Sequence, residues 1–521
     1  MDNLREHFIK PLDEYIAKAR KICDHVGYDQ IAYTLIRLIN NSKCEAKCFT
    51  SVEQLANMYE YAHRNTERDA YQAMEATVHN LCTLASRAGA QVPFSSLNLG
   101  TCTSLEGRMV TRNLLLAVEA GLGYGETAIF PISIFKLKKG VNRAPGDPNY
   151  DLKKLALRVT AKRLFPNFLN LDAPYNLKYY KVGRPETEVT AMGCRTRTIS
   201  NIHDPSKEQV TGRGNLFFTT INLPYIALEV KQEAKDGDDI VNLFFNRLEE
   251  RLNDVVNLSM DRFNLIAKRK AKNYPFLMGQ HLYVGSDDLH PDDSIGEVIK
   301  HGSMTAGFIG LAETLVVLTG KHHGESAEAQ ALGLKIVKYM NDFMTEVSER
   351  TKLNFGVMGS PAEGCSGRLL RLTRKKFGTI EGVTDKDYLT NSFHVPVAMQ
   401  LSAWDKIRIE APYHQYCPAG HISYLELDAD AVSNLDALET IVDTMCDNNM
   451  GYFAINHPVD RDPVCGYVGY FPDGVCPRCG RREGEGVPVS KLLSLRSYSP
   501  DPQYDARRES SAPTATLNLV E

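Results

Sequence analysis

The feature that most constrains the fold is an alternation of short apolar runs with long segments of helical periodicity. Residues 128–135, AIFPISIF, are rich in apolar and β-forming residues, as expected of a strand buried on both faces. Strands that alternate with helices predict a mainly parallel α/β sheet with crossover helices, either open or closed into a barrel. The other predicted strands are residues 91–99, 189–198, 216–221 and 354–357, and the predicted helices are residues 12–22, 31–39, 55–85, 109–120, 241–269, 303–318 and 327–348.

Length and composition narrow the class of protein. The chain has 521 residues, enough for about three domains or one large α/β unit. Its content of 43% apolar and 24% charged residues excludes wholesale disorder and fibrous classes. A net charge of −4 gives no global basic field, so we expect neither nucleic acid nor a membrane surface as a partner. No run approaches the ~18 apolar residues of a membrane span, and the charged N-terminus lacks a signal-like apolar core, so we expect a cytoplasmic protein.

Three of the twelve cysteines have metal-ligand spacing. Cys476 and Cys479 form a CxxC knuckle followed by a glycine, and Cys465 begins a matching half eleven residues earlier. Structural zinc takes four ligands, often from two such pairs, so the pattern predicts a zinc-binding knuckle rather than free thiols on a loop. The fourth ligand stays open between His457 and Asp462, which stands where the missing cysteine would fall; Cys446 is a further alternative.

Other motifs are ambiguous when taken alone. The segment SPAEGCSGR, residues 360–368, follows a strand-like run and precedes a helical one, so it is either a phosphate-binding turn or an ordinary helix cap. The segment SRAGAQVPFSS, residues 86–96, offers hydrogen-bond donors on a loop. Cys194, in EVTAMGCRTRT, would by position be an ordinary core cysteine.

Similarity to a known family favours a catalytic role for Cys194 over that of an ordinary core cysteine. Eight sequence blocks in one order, over about residues 65–481, resemble the catalytic subunit of anaerobic, glycyl-radical ribonucleoside-triphosphate reductases. A collinear set of this length is highly specific. The blocks are AMEATVHNLCTLASRAGAQVPFSSLNLGT, IFPISIFKLKKGVN, KRLFPNFLNLDAP, MGCRTRT, TGRGNLFFTTINLP, SPAEGCSGR, TNSFHVPV and AGHISYLEL.

The resemblance implies a fold and a chemistry. The family fold is a ten-stranded α/β barrel with a finger loop at its centre, and by motif match Cys194 lies at the tip of that loop. A thiyl radical on Cys194 would abstract the 3′ hydrogen of a ribonucleotide, and formate commonly supplies the reducing electrons. The resemblance also implies ribonucleoside triphosphates as substrates, dNTP and ATP effectors, a radical-SAM iron–sulfur activase and a homodimer.

The matching motifs also imply which residues of this chain would contact the substrate. SPAEGCSGR matches the phosphate-binding turn of the family. TNSFHVPV, with Asn391 and His394, is expected to line the floor or mouth of the barrel. The predicted substrate contacts are Ser95, Ser96, Asn222, Ala362, Glu363, Gly364, Ser366 and Gly367.

The chain also departs from the family pattern. Its last glycine is Gly486, so the Arg-x-x-Gly-Tyr segment that stores the radical is not found, and the barrel's first strand is not recognised before the first block. We therefore expect little turnover from the isolated chain. The alternatives are a split enzyme with a separate glycyl-radical polypeptide and an inactive nucleotide-binding chain. The expected domains are residues 1–64, an N-terminal helical segment; 65–456, the barrel core; 457–481, the zinc knuckle; and 482–521, a divergent tail without a packed fold.

Overall fold

The computed structural model describes residues 52–85, 92–193, 195–198, 200–428, 430–462 and 464–486. Within these ranges, residues 52–60, 62, 124 and 363 are described by their backbone alone. The helices predicted at 12–22 and 31–39, Cys194 itself and the tail from residue 487 lie outside the described residues.

Helices and strands alternate along most of the described chain. Short 3-10 turns connect several of them. The helices are α1 Val52–Thr83, α2 Leu105–Ala120, α3 Tyr150–Arg163, α4 Pro174–Leu177, α5 Leu223–Glu233, α6 Ile240–Ala267, α7 Gly296–Ile299, α8 Leu311–Thr319, α9 Ala327–Thr351, α10 Glu363–Phe377, α11 Ala403–Glu410 and α12 Leu435–Asp447. The strands are β1 Ser96–Leu99, β2 Ile132–Leu137, β3 Asn167–Asn170, β4 Asn215–Asn222, β5 Ser303–Ile309, β6 Asn354–Gly359, β7 Ser423–Glu426, β8 Tyr452–Asn456, β9 Asp460–Arg461 and β10 Val468–Gly469.

Two larger sheets form the body of the molecule. The first sheet has the order β1-β2-β3-β8-β7, in which β1, β2 and β3 are parallel, β3 and β8 are antiparallel, and β8 and β7 are parallel. The second sheet is β4-β5-β6, all parallel. A single parallel bridge between Met358 and Gly420 joins β6 to the segment just before β7. Eight strands therefore follow one another in the series β1-β2-β3-β8-β7-β6-β5-β4.

The predicted ten-stranded barrel is not confirmed. Within the described residues, β1 and β4 end the series, and neither has a further strand on its outer edge. What the structure has is a mixed eight-stranded arrangement of two sheets, with the separate β9–β10 pair near the C-terminal cysteines.

The central strands of the first sheet, β2, β3 and β8, are buried on both faces. In β2, Ile134 packs on the inner side with Leu169 and Tyr452, whereas the adjacent Phe135 packs outward among helix residues. This is the period-two alternation that a strand requires, with apolar residues on both sides because helices cover the outer face. The second sheet has its own core with α5, α6, α8 and α9.

Predicted elements were confirmed where one periodicity dominated. The helices over 55–85, 109–120, 241–269 and 327–348 and the strands at 216–221 and 354–357 are present with small shifts at their ends. The helix over 303–318 was wrong in its first half, because residues 303–309 form β5; a short, fully buried run cannot be told from a buried helix by periodicity alone. The strand at 189–198 was also wrong: the described residues there make only isolated bridges, at Met192 and Thr196.

Helix α1 runs through the predicted domain boundary between residues 64 and 65. No helix of the described chain combines the length and the apolar character needed to cross a membrane.

Candidate active site and metal cluster

The residues on both sides of Cys194 lie between the two sheets. We call residues 188–193 the incoming limb and residues 195–198 the outgoing limb. The incoming limb begins at Glu188, which is largely buried. Its carboxylate accepts hydrogen bonds from Lys136 Nζ at 2.9 Å and Lys138 Nζ at 3.2 Å, and from the Thr101 hydroxyl at 3.0 Å. Burial alone would raise the pKa of Glu188, but the two ammonium groups lower it by a larger amount. The pKa therefore lies below the ordinary value, and the carboxylate is ionised.

Side chains of the first sheet hold the backbone of the incoming limb. The Asn98 amide donates to Ala191 O at 2.8 Å and accepts from Ala191 N at 3.1 Å, as a neighbouring strand would. Ser96 Oγ accepts from Gly193 N at 3.1 Å. On the other side, the Tyr452 hydroxyl donates to Gly193 O at 3.0 Å and accepts from Asn167 at 2.9 Å. The residue before Cys194 is therefore fixed at both its N–H and its carbonyl.

The outgoing limb carries two arginines that are each about 1% exposed. Arg195 Nη1 donates to Ser360 O at 2.9 Å and to Asn391 Oδ1 at 3.1 Å. Arg197 Nη1 donates to Asn176 Oδ1 at 2.6 Å, its Nη2 lies 3.2 Å from His421 Nδ1, and its backbone N–H donates to Ala419 O. Guanidinium groups satisfy several acceptors in fixed geometry, so each arginine fastens the limb to a different set of surrounding segments.

Buried histidines surround the outgoing limb. His414 and His421 lie with their ring centroids 4.4 Å apart, and His394 Nε2 lies 2.8 Å from Ile422 O. Burial, with the nearby Arg195, lowers the pKa of His394 to about 3; burial, with Arg197, also holds the pKa values of His414 and His421 well below the ordinary range. All three rings are therefore neutral at pH 7.

The segment 360–368 joins β6 to α10. Ser360 is fully buried directly after β6, Ala362 is the N-cap residue of α10, and the helix begins at Glu363. The N–H groups in the first turn of a helix have no acceptor within the helix and carry partial positive charge, which suits an anion. A Cβ built on Gly364 would meet no atom within 4 Å, so there is open space at the backbone of the first turn. The first turn of α10 therefore has the space that a phosphate-binding turn requires.

The remaining predicted contacts take different positions. Asn222 caps α5 and donates from Nδ2 to Thr373 of α10 at 3.0 Å. Gly367 and Ser366 lie in the first turns of α10, with Ser366 N donating to Ala362 O. Ser96 holds the incoming limb, as described above, and Ser95 Oγ is buried with no hydrogen-bond partner among the described residues.

Four side chains near the C-terminal end of the described chain form a possible metal cluster. They are Asp462, Cys465, Cys476 and Cys479, whose ligand atoms all lie within 4.8 Å of one another. Cys465 Sγ and Cys476 Sγ are 3.6 Å apart, close to the ~3.8 Å expected between two sulfurs on a tetrahedral zinc.

The cluster has two matching halves. Asp462 Oδ1 accepts the N–H groups of Val464 and Cys465 at 2.7 and 2.9 Å, and the Cys476 thiol accepts those of Arg478 and Cys479 in the same way. An aspartate thus replaces the first cysteine of a CxxC pair. Burial would raise the pKa of Asp462, yet these N–H groups and Arg481 lower it well below its ordinary range.

The structure corrects the predicted fourth ligand. His457 Nε2 lies 3.0 Å from Thr160 O and is not part of the cluster; strand β9 separates it in the chain from Asp462 and Cys465. Cys446 is buried in the core of the first sheet instead. Asp462, the other alternative, is the residue that joins the three cysteines.

Comparison with known proteins identifies the family. A sequence model of the family described as anaerobic ribonucleoside-triphosphate reductase matches residues 12–490. The chain belongs to this family. The anaerobic ribonucleoside-triphosphate reductase of Salmonella typhimurium is 34% identical over 457 residues, which cover 86% of this chain and 61% of the relative. The reductase of Enterobacteria phage T4 is 35% identical over 437 residues, covering 82% and 68% of the two chains.

Solved reductase structures share the fold. The anaerobic ribonucleotide reductase from Thermotoga maritima in complex with dATP and CTP aligns with a TM-score of 0.56 at 14% identity, covering 89% of this chain and 71% of that one. The chain spans about three fifths of the length of the bacterial reductase from Salmonella.

Several residues that position the incoming limb were not identified from the sequence. Asn98, Glu188 and Tyr452 hold the incoming limb, and Lys136 pairs with Glu188. The only local signal was that Asn98 and Lys136 are polar residues inside otherwise apolar strands, which favours an inward-facing function or a pairing partner.

Proposed function

We propose that this chain reduces ribonucleoside triphosphates to deoxyribonucleoside triphosphates by radical chemistry at Cys194. The observation that carries the proposal is the arrangement around that residue: Gly193 is fixed by Ser96 and Tyr452, and Arg195 reaches the first residue of the turn that leads into α10. A reacting sulfur must stand within near-attack distance of the ribose, and only a firmly held loop can provide this.

The phosphates would bind at the start of α10. In this proposal the backbone N–H groups of residues 363–365, which precede the first hydrogen bond of the helix at Ser366, receive the triphosphate, and Gly364 leaves room for its approach. The dipole of this 15-residue helix adds to the attraction. Relatives named as reductases of nucleoside triphosphates, and a Thermotoga structure named as a complex with CTP, support this substrate class.

The proposed chemistry at Cys194 is a balanced cycle. The sulfur radical takes the 3′ hydrogen atom, the 2′ hydroxyl leaves as water with one added proton, and two electrons with a proton from formate reduce the sugar. Cys194 then returns its hydrogen atom to C3′. Burial of Arg195, Arg197 and Thr198 in the outgoing limb shields that side of the radical from water and stray reductants.

A glycyl radical, made by a radical-SAM activase, supplies the unpaired electron in this family, and we assign no glycine of this chain to it. The dNTP and ATP effectors and the homodimer belong to the same proposal.

The test is an anaerobic assay with CTP, formate and a radical-SAM activase, with a polypeptide bearing an Arg-x-x-Gly-Tyr segment supplied in trans. We expect dCTP to form with the wild-type chain and none with Cys194→Ala. Binding of CTP by calorimetry is measured alongside. Binding without any reduction under all these conditions would favour the alternative, a nucleotide-binding chain that does no chemistry. Absence of binding would refute both.

We further propose that the cluster at Asp462 holds a structural zinc ion. Three thiolates and one carboxylate are a suitable tetrahedral donor set, and the N–H groups that support Asp462 and Cys476 orient both halves. Asp462→Cys should retain one zinc per chain and bind it more tightly, whereas Asp462→Ala should lower zinc content after dialysis against a chelator. Mass spectrometry of the metal provides the readout, and His457→Gln is the matched control that should keep its zinc. Zinc retained equally by Asp462→Ala would contradict this assignment.

A further inference from the structure

Arg195 connects the two parts of the proposed active site. Its guanidinium is fully buried, and Nη1 lies 2.9 Å from the carbonyl oxygen of Ser360. Ser360 begins the segment that leads into α10, and Arg195 directly follows Cys194 in the chain. One side chain therefore spans the distance between the radical-bearing loop and the turn proposed to bind phosphate.

The far end of this connection is rigid. Ser360 is fully buried, and its hydroxyl lies 2.8 Å from Thr220 Oγ1 of β4. A Cβ on Gly307 of β5 would come within 2.1 Å of Ser360 Oγ, so Ser360 packs directly against the sheet. Asn391, the second acceptor of Arg195, is fixed in its own loop, where His394 N donates to Asn391 O. A displacement of the turn would therefore reach Arg195 with little loss, because tightly packed groups transmit strain.

We infer that Arg195 is a positioning residue that couples occupation of the phosphate turn to the placement of Cys194. This inference rests on the proposed function and goes further by naming the coupling residue. When phosphate draws the first turn of α10 toward itself, the carbonyl of Ser360 holds the guanidinium of Arg195 in one position. Arg195, the residue next to Cys194 in the chain, is then held in one position when a triphosphate is in place.

Arg197 is the matched comparison. It lies on the same limb and is equally buried, but its guanidinium contacts Asn176 and His421, neither of which belongs to the phosphate turn. A purely structural role of buried arginines in the outgoing limb would give both residues the same effect. Coupling to phosphate would be specific to Arg195.

The experiment uses inorganic tripolyphosphate, which can occupy the phosphate turn but carries no ribose to cover the cysteine. Its affinity for the full chain is measured by calorimetry. The alkylation rate of Cys194 by iodoacetamide is followed by mass spectrometry with and without tripolyphosphate. In the wild-type chain we expect tripolyphosphate to slow alkylation by about fivefold or more, the lower end of ordinary coupling between two sites.

The variants separate coupling from binding. Arg195→Lys keeps the charge but cannot hold both acceptors in the fixed geometry of a guanidinium. We expect it to bind tripolyphosphate within about twofold of wild type while the change in alkylation rate largely disappears, because only the coupling free energy is removed. Arg197→Lys should lower thermal stability and keep the alkylation response. If Arg195→Lys does not fold, Asn391→Ala, which removes one acceptor of Arg195, should weaken the response in the same way.

Three outcomes would overturn the inference: a wild-type response in folded Arg195→Lys or Asn391→Ala, loss of tripolyphosphate binding in Arg195→Lys, or wild-type binding without any change at Cys194. A wild-type chain that binds neither tripolyphosphate nor CTP would instead refute the proposed function itself.

Discussion

The incoming and outgoing limbs around Cys194 are fastened in opposite ways. The incoming limb offers mainly its backbone, and side chains of the first sheet, such as Asn98 and Tyr452, reach in to hold it. The outgoing limb instead extends its own side chains, Arg195 and Arg197, to backbone carbonyls and polar groups of the surrounding wall. The electrostatics differ as well: an ionised carboxylate anchors the first limb, whereas neutral histidines flank the second.

The side chains that hold the two limbs therefore come from different parts of the sequence. Those of the outgoing limb lie within four residues of Cys194, so substitutions there act directly on the loop. Those that hold the incoming limb are distributed over strands up to 259 residues away. The two limbs should therefore respond differently to pH and to mutation.

The largest expected effect is acid destabilisation of the outgoing side. Burial lowers the pKa of His394 to about 3 in the folded chain and holds the pKa values of His414 and His421 well below the ordinary range. The unfolded chain protonates these groups first, near pH 6.5, so stability present above that pH is lost as the pH falls toward 3. Each histidine should contribute a loss of about 1.4 kcal/mol per pH unit. Hydrogen exchange between pH 7 and 5, corrected for intrinsic rates, should show weakened protection of residues 195–203 before residues 181–193. Equal loss of protection in both limbs would contradict the proposed difference between them.

Glu188→Gln should have the next largest effect, on the incoming side. The change leaves Lys136 and Lys138 facing a neutral amide, and removing one partner of a buried ion pair costs about 3–5 kcal/mol. The folded pKa of Glu188 lies below its ordinary value, so its contribution is present above about pH 4.5 and is lost as the pH falls through the folded pKa.

Urea unfolding at pH 7 and pH 4 measures this change. The difference between Glu188→Gln and wild type should shrink at the lower pH. Glu186→Gln, an exposed neighbour paired with Arg184, is the control and should stay close to wild type at both values. A difference that does not depend on pH would mean that packing, not charge, anchors this limb.

Tyr452→Phe should have the smallest effect. It removes the hydroxyl that donates to Gly193 O and leaves Asn167 without that acceptor, at a cost of about 1–3 kcal/mol. Cys194 should also be alkylated faster, because the carbonyl of Gly193 no longer accepts a hydrogen bond from Tyr452. Tyr150→Phe, whose hydroxyl contacts Glu439 away from both limbs, should leave the alkylation rate unchanged. An unchanged rate in Tyr452→Phe would remove this tyrosine from the positioning of the loop.

Sequence alone could predict much of the fold and part of the site. The turn between β6 and α10 was foreseen because a strand-like run, small residues and a helical run follow one another locally. The aspartate in the metal cluster was among the alternatives because it stands at the right spacing from Cys465. Asn98 and Tyr452 could not be foreseen, because their partners are set by strand pairing across the chain. Strand β5 was mistaken for helix because a short, fully buried run that leads directly into the apolar helix α8 cannot be told from a buried helix by periodicity alone.

The central claim is that a nucleotide bound at the first turn of α10 presents its ribose to Cys194. An experimental structure of the full chain with CTP, prepared without oxygen, tests it most directly. We predict the triphosphate on the backbone N–H groups of residues 363–365 and the 3′ carbon of the ribose beside the Cys194 sulfur. CTP bound with its triphosphate elsewhere, or with its ribose turned away from Cys194, would contradict it.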